Sequence, residues 1–224
     1  MLEALIFDFD GLMVDTESTV LQSWAEVYRE HGFELPLDEW IRSIGADYGP
    51  ETFDPCLDLE ARLGRPLDWQ AIQARRYARE LALASQQPAL PGVVALLDDA
   101  QAHGLRLAVA SSSSHRWVDG HLRRLGLFDR FQAIVCADDV ARTKPAPDLF
   151  LKAVDLLGVP AHSVVVLEDS ANGVIAARAA GLFCVVVPTE LTRRLDLSAA
   201  SMRVQSLAEL SVDLLDRALR NNHQ

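Results

Sequence analysis

Two aspartates, Asp8 and Asp10, follow a short apolar run near the beginning of the chain, in the stretch LIFDFDGLMVDTE of residues 5–17. Carboxylates seldom lie in such apolar surroundings unless a cation or a basic group compensates their charge. A calcium-binding EF-hand loop is excluded, because a loop starting at Asp8 would put Met13 at its glycine position and Thr19 at its terminal glutamate position. The pair therefore predicts another kind of charge-compensated site, whose remaining members must come from elsewhere in the chain.

Polar residues also follow three later apolar runs. One run leads into Ser111–Ser114, the next into a loop that contains Lys144, and a third into Glu168 and Asp169. Because ligands of open α/β sheets bind at the carboxyl ends of the strands, we expect these groups to meet at one edge of a sheet. Four carboxylates at one edge would repel each other unless a hard divalent cation neutralised them, and Mg²⁺ prefers oxygen ligands. The sequence therefore predicts a magnesium site.

The elements that position these groups alternate along most of the chain, which predicts an α/β fold with a doubly wound, mainly parallel sheet. The apolar runs are continuous rather than alternating in polarity, as in strands that are covered on both faces. The predicted strands are 3–8, 105–110, 132–136, 163–167 and 182–187, and the predicted helices of this part are 92–103, 115–125, 147–157 and 171–180.

A helical segment interrupts this alternation after the first strand. Its patterns have the spacing of amphipathic helices, and no convincing strand accompanies them. We expect its three tryptophans, Trp24, Trp40 and Trp69, to form the core of a small helical bundle. The predicted helices are 18–31, 37–44, 51–63 and 68–84. The predicted domains are an α/β core of residues 1–15 and 88–224 and a helical domain of residues 16–87.

The overall charge and the cysteine content exclude several classes of protein. A formal net charge of -11 argues against non-specific binding to nucleic acid or to an anionic membrane, which requires clustered positive charge. Three widely spaced cysteines support neither a disulfide framework nor a structural zinc site. The acidic amino terminus does not resemble a signal peptide, and no apolar run is long enough to span a bilayer. We expect a cytoplasmic, monomeric protein without nucleic-acid or membrane partners.

Four motifs together resemble the haloacid dehalogenase-like (HAD) hydrolase superfamily. They are DFDGL at 8–12, AS at 110–111, KPAPD at 144–148 and LEDSANG at 167–173, in the order and spacing of that family. Within the superfamily, the chain is similar to the branch that contains β-phosphoglucomutases and sugar-phosphate phosphatases. The resemblance implies a Rossmann-like core with an inserted α-helical cap, Mg²⁺ as cofactor, and a small phosphate ester as substrate.

The resemblance also implies a role for each motif residue. Asp8 would attack phosphorus to form an aspartyl-phosphate, and Asp10 would protonate the leaving oxygen and then activate the hydrolytic water. Ser111 and the backbone at Ser112 would bind the phosphate, and Lys144 would neutralise the transferring group and steady Asp8. The implied catalytic residues are Asp8, Asp10, Ser111 and Lys144, the implied metal ligands are Asp8, Asp10 (through its carbonyl), Glu168 and Asp169, and the implied substrate-binding residues are Glu17, Ser111, Ser112 and Lys144.

A phosphatase is the favoured interpretation, and a phosphosugar mutase is the alternative. β-Phosphoglucomutases carry a histidine shortly after the first motif, where this chain has Val20. The basic residue of the mutase cap has no clear counterpart, although Arg42, Arg75 and Arg76 are candidates. A non-catalytic phospho-ligand-binding module is a further alternative, disfavoured because every acidic residue of the motifs is present. His115 and His121 lie on a predicted helix, where surface or core positions are expected.

Overall fold

A computed structural model describes residues 1–43 and 53–222, apart from the side chains of residues 42 and 43. The described chain forms two compact units. The core unit contains Met1–Val14 and Pro88–Gln224, and the helical unit contains Asp15–Gln87. Asp15 therefore groups with the helical unit, one residue from the predicted boundary.

The helical unit contains a small aromatic core. The ring centroid of Trp24 lies 6.3 Å from that of Trp40 and 6.5 Å from that of Trp69. Tyr28 is fully buried beside them and donates its hydroxyl to Asp58 over 2.8 Å. The expected bundle core is confirmed for Trp24 and Trp40, while Trp69 is partly buried and packs against them. The helices of this unit are α1 (Glu17–Glu30), α2 (Leu37–Ser43), α3 (Pro55–Leu63) and α4 (Trp69–Ala84).

Helix α3 begins later than the prediction of 51–63. Asp54 lies before it in an extended conformation, and its side chain accepts a hydrogen bond from the backbone N–H of Cys56 over 2.7 Å. Pro55 occupies the first helical position, where its fixed φ is favourable and its missing N–H costs nothing. Aspartate and proline together thus set the first residue of the helix, while residues 51 and 52 lie outside the described chain.

The core unit is built on a sheet of six parallel strands in the order β3-β2-β1-β4-β5-β6. Strand β1 lies in the middle, with Phe7 in register with Val109 of β2 on one side and with Leu167 of β4 on the other. The predicted doubly wound fold is confirmed, with every described strand parallel. The strands are β1 (Ala4–Phe7), β2 (Arg106–Ala110), β3 (Ala133–Val135), β4 (Val164–Glu168), β5 (Phe183–Val186) and β6 (Met202–Arg203).

Apolar side chains cover both faces of this sheet. Along β1, Leu5 and Phe7 point into one buried cluster, and Ala4 and Ile6 point into the cluster on the opposite face. This two-sided burial explains why the strands are continuous apolar runs in the sequence. The helices of the core unit are α5 (Val93–Ala102), α6 (His115–Arg124), α7 (Asp148–Leu157), α8 (Ala171–Ala179) and α9 (Val212–Asn222).

All five predicted strands are present, and the described chain adds one strand and one α-helix that were not predicted. Strand β6 pairs with β5 through two residues only, and α9 packs on the sheet through Val212, Leu215 and Leu219. Among the described helices, none combines the length and the apolar composition that a membrane span requires.

Candidate active site

Asp8 lies at the carboxyl end of the central strand β1, where only 6% of its surface is exposed. Its backbone N–H donates to the carbonyl of Leu167 over 2.9 Å, which fixes Asp8 beside the end of β4. The ammonium group of Lys144 contacts the Asp8 carboxylate and also donates to Oε1 of Glu168 over 2.5 Å. The structure thus brings together three of the residues that the sequence placed at one edge of the sheet.

Glu168 is fully buried between β4 and α8, and both of its carboxylate oxygens accept hydrogen bonds. Oε1 accepts from Lys144, while Oε2 accepts from the backbone N–H groups of Asp169 and Ser170 at 2.9 Å each and from the Ser170 hydroxyl at 3.0 Å. These contacts place a negative charge at the amino terminus of α8, where the helix dipole favours it. A Cβ at Gly173 would overlap this carboxylate, so the helix can pass Glu168 only with glycine there.

Three carboxylates of the site are close enough to hold one ion. Oxygen atoms of Asp8, Glu168 and Asp169 lie within 4.8 Å of one another, and all three residues are buried. Gly11, with φ of 78°, runs close to Asp169, since a Cβ there would lie 2.9 Å from its Cγ and closer still to Oδ2. An all-oxygen set of carboxylates fits a hard divalent cation such as Mg²⁺.

The carboxylates of this cluster outnumber its one described ammonium group. Burial raises the pKa of the Asp8 carboxyl well above its usual range, although the ammonium of Lys144 opposes the shift. Burial by itself lowers the pKa of Lys144, but the anionic Asp8 and Glu168 outweigh it and raise that pKa. One ammonium therefore faces an excess of carboxylates, and a second positive charge would favour the ionised form of Asp8.

Asp10 lies in a different environment, on the side of β1 that faces β2. Its Oδ2 accepts from the hydroxyl of Ser113 over 2.6 Å and from that of Ser111 over 3.2 Å, and its Oδ1 accepts from the indole N–H of Trp117 over 2.8 Å. Ser111, predicted to bind phosphate, thus donates a hydrogen bond to Asp10 in this structure. The sequence places Ser113 in the serine run expected at this edge but gives it no role. Trp117 was missed, and its one signal is that it is the tryptophan outside residues 15–87.

Four further candidates belong to the helical unit. Glu17 is the first residue of α1 in the helical unit. In that unit Arg75 forms an exposed ion pair with Glu30 over 3.4 Å, and Arg76 donates to the buried Glu80 over 2.5 Å. The side chain of Arg42 lies outside the described part of the chain.

The two histidines of α6 have surface and core positions, as expected. His115 is partly exposed and bridges Asp119 at 3.2 Å and Asp139 at 2.7 Å. Burial lowers the pKa of His115, but its hydrogen bonds with Asp119 and Asp139 outweigh burial and raise it. His121 is buried, and burial lowers the pKa of its ring.

The chain is similar to several known proteins. The family model described as haloacid dehalogenase-like hydrolase matches residues 5–187. "Putative phosphatase YhcW" of Bacillus subtilis is 42% identical over 215 residues, which cover 96% of each chain. "Fructose-1-phosphate phosphatase YqaB" of Escherichia coli is 36% identical over 187 residues, which cover 82% of this chain and 95% of that protein.

A solved structure extends the similarity to three dimensions. The crystal structure of CbbY from Rhodobacter sphaeroides in complex with phosphate has a TM-score of 0.76 and 32% sequence identity, covering 96% of this chain and 100% of that chain. The predicted family and the predicted phosphatase class are thereby confirmed. The chain belongs to the haloacid dehalogenase-like hydrolase family.

Proposed function

We propose that the protein is a Mg²⁺-dependent phosphatase that hydrolyses a small sugar phosphate through an aspartyl-phosphate on Asp8. The observation that carries the proposal is the buried cluster of Asp8, Lys144, Glu168 and Asp169 at the carboxyl edge of the sheet. A bound Mg²⁺ would be held by Asp8, Glu168 and Asp169, together with the carbonyl of Asp10, and would neutralise phosphate charge.

In the first step, a carboxylate oxygen of Asp8 attacks the phosphorus atom, and the bond between phosphorus and the sugar oxygen breaks. Asp10 donates a proton to that oxygen, so that the sugar leaves as a neutral alcohol. Lys144 remains beside the Asp8 carboxylate and offsets the negative charge of the incoming phosphate ester. The products of this step are the free sugar and the phosphorylated Asp8.

In the second step, water attacks the phosphorus of phospho-Asp8 while the now ionised Asp10 accepts a proton from it. The bond between phosphorus and the Asp8 oxygen breaks, which restores the Asp8 carboxylate and releases inorganic phosphate. Glu168 takes no part in bond making, because hydrogen bonds from Lys144 and from the backbone at the start of α8 fix its carboxylate. Its role is to hold Lys144 in place and to add negative charge for the cation.

A sugar phosphate is the proposed substrate class because a relative of this chain is named for one. YqaB is named as a fructose-1-phosphate phosphatase, and the CbbY structure contains phosphate. A mutase is disfavoured, because Val20 has no ionisable group where the mutases carry histidine. Val20 packs instead against the aromatic core of the helical unit.

The test measures inorganic phosphate released from a panel of hexose phosphates, with Mg²⁺ and after its removal by EDTA. We expect Asp8→Asn to lower turnover by more than about 10³-fold, with folding intact. Asp129→Asn, which removes an exposed carboxylate of the same unit, is the matched control and should retain activity. Mass spectrometry of acid-quenched wild-type protein should find one added phosphoryl group on the peptide that contains Asp8.

Two results would contradict the proposal. Turnover by Asp8→Asn at the wild-type rate would exclude Asp8 as the nucleophile. Conversion of one sugar phosphate into an isomer that depends on an added sugar bisphosphate, without net phosphate release, would identify a mutase instead.

A further inference from the structure

We propose that Trp117 and Ser113 are positioning residues that orient the Asp10 carboxylate for proton transfer. The inference rests on the proposed function, because it assigns Asp10 the acid–base role in phosphate-ester hydrolysis. Neither residue belongs to the four motifs that carry the family resemblance, and the sequence alone assigns a role to neither.

The argument begins with how the donors are distributed over the two oxygens of Asp10. The hydroxyls of Ser111 and Ser113 both donate to Oδ2, at 3.2 and 2.6 Å, whereas the indole N–H of Trp117 donates to Oδ1 at 2.8 Å. Donors on one oxygen alone would let the carboxylate rotate about its last bond. Donors on both oxygens fix its plane, and Trp117 supplies the described donor to Oδ1.

The side chains that donate to Asp10 are themselves fixed by contacts with neighbouring residues. The hydroxyl oxygen of Ser111 accepts a hydrogen bond from the backbone N–H of Ser113 over 3.0 Å, which fixes the two serines relative to each other. Trp117 lies in the first turn of α6, and the edge of its ring packs against His121 with centroids 4.5 Å apart. His121 in turn lies 6.0 Å from the ring of Phe9, the residue directly before Asp10.

This packing connects the indole to the same backbone segment that carries Asp10. An indole N–H is a donor only, and its ring cannot reorient without leaving its neighbours, unlike a serine hydroxyl that rotates freely. Trp117 is therefore the more rigid of the two supports. A rigid donor matters at a proton-transferring group, since a displacement of about 1 Å from productive geometry can cost about 10²-fold in rate.

The effect should appear in kcat rather than in KM. Asp10 acts on the leaving oxygen and on the water, and positioning it contributes to the transition state more than to binding of the phosphate ester. We expect Trp117→Phe to lower kcat by at least about tenfold, a fraction of the 10²–10⁴-fold that general acid–base catalysis supplies. KM for the sugar phosphate should stay within about twofold of wild type.

The helical unit offers a matched control. The indole of Trp69 also donates to a carboxylate over 2.8 Å, that of Glu60, and Trp69 is partly buried as Trp117 is. Trp69→Phe removes the same kind of hydrogen bond and the same ring atoms, and it should retain the wild-type kcat. A loss of kcat in Trp117→Phe alone would separate positioning of Asp10 from a general effect of losing an indole.

Two more variants keep the test independent of whether Trp117→Phe folds. Ser113→Ala removes the shorter hydroxyl contact and should lower kcat in the same direction, and Ser113→Thr, which keeps the hydroxyl, should recover most of that loss. The indole N–H signals of ¹⁵N-labelled protein give a readout that needs no turnover. Asp10→Ala should shift the Trp117 signal and accelerate its hydrogen exchange, while the Trp69 signal stays unchanged.

The outcomes distinguish this inference from the proposed function. Wild-type kcat in both Trp117→Phe and Ser113→Ala, or a Trp117 signal that Asp10→Ala leaves unmoved, would overturn the positioning role while the phosphatase proposal stands. A raised KM with unchanged kcat would also overturn it, since the indole would then contact substrate. Absence of phosphate release by the wild-type protein would overturn the proposed function and, with it, the catalytic consequence drawn for Trp117.

Discussion

Replacement of Gly173 by alanine should destabilise the protein. The same replacement at a helical glycine with free space around it should stabilise the protein. Both Gly173 in α8 and Gly120 in α6 are helical glycines, and alanine is favoured over glycine in a helix by about 1 kcal/mol. A Cβ at Gly120 would meet nothing within 4 Å, whereas a Cβ at Gly173 would overlap the carboxylate of Glu168. The carboxylate must then move away from its partners.

The expected loss in free energy of unfolding follows from the contacts that Glu168 makes. Its displacement breaks the buried contact with Lys144 at 2.5 Å and the three hydrogen bonds at the start of α8. Breaking a buried ion pair lowers the free energy of unfolding by about 3–5 kcal/mol. The higher helix propensity of alanine offsets about 1 kcal/mol of that loss. Gly173→Ala should therefore lower the free energy of unfolding by about 2–4 kcal/mol.

Urea unfolding of the two variants beside wild type is the assay. Gly120→Ala should raise the free energy of unfolding by up to about 1 kcal/mol, opposite in sign to Gly173→Ala. Phosphate release should fall in Gly173→Ala only, because Lys144 loses one of its two anchors. A Gly173→Ala protein as stable as the Gly120→Ala protein would refute the reasoning, since Glu168 would then be free to move without loss.

Two further predictions concern ionic contacts outside the cluster. Because the pKa of His115 is raised in the folded state, its stabilising contribution is fully present below about pH 6.5, the unfolded value, and is lost as pH rises through the folded pKa. The urea midpoint of His115→Gln should consequently vary less with pH than that of wild type, and equal slopes would contradict this. Arg76→Met leaves the buried Glu80 without its ion-pair partner and should lower the free energy of unfolding by about 3 kcal/mol. Arg75→Met breaks an exposed pair and should change it by less than about 1 kcal/mol, so that equal losses in a melting experiment would contradict the assignment.

The strands of the core unit were predictable because a strand that is buried on both faces consists of consecutive apolar residues. Strand β6 carries no such signal, since it consists of Met202 and Arg203 at an edge of the sheet and the arginine is exposed. Helix α9 is a different case. Val212, Leu215 and Leu219 have helical spacing, so a pattern for this helix is present in the sequence and was missed.

The cluster around Asp8 was predictable for a topological reason. In a parallel sheet the carboxyl ends of all strands lie at one edge, so polar residues that follow apolar runs converge whatever their distance along the chain. The contact between Trp117 and Asp10 has no such general basis. It depends on the rotation of α6 about its axis and on the packing of His121 against Phe9, which only the folded core determines.

The position of β1 between β2 and β4 explains how two aspartates only two residues apart come to have different surroundings. The backbone of Asp8 hydrogen-bonds to the end of β4 and its carboxylate contacts Lys144, so Asp8 belongs to the acidic cluster with Glu168 and Asp169. Asp10 follows the strand end, where Gly11 at φ of 78° turns the chain, and its carboxylate meets the serines after β2. An edge strand would have a neighbour on one side only and could not offer both environments. The central strand therefore presents the proposed nucleophile beside the proposed metal ligands, and the proposed acid–base group beside neutral donors, from a single short motif.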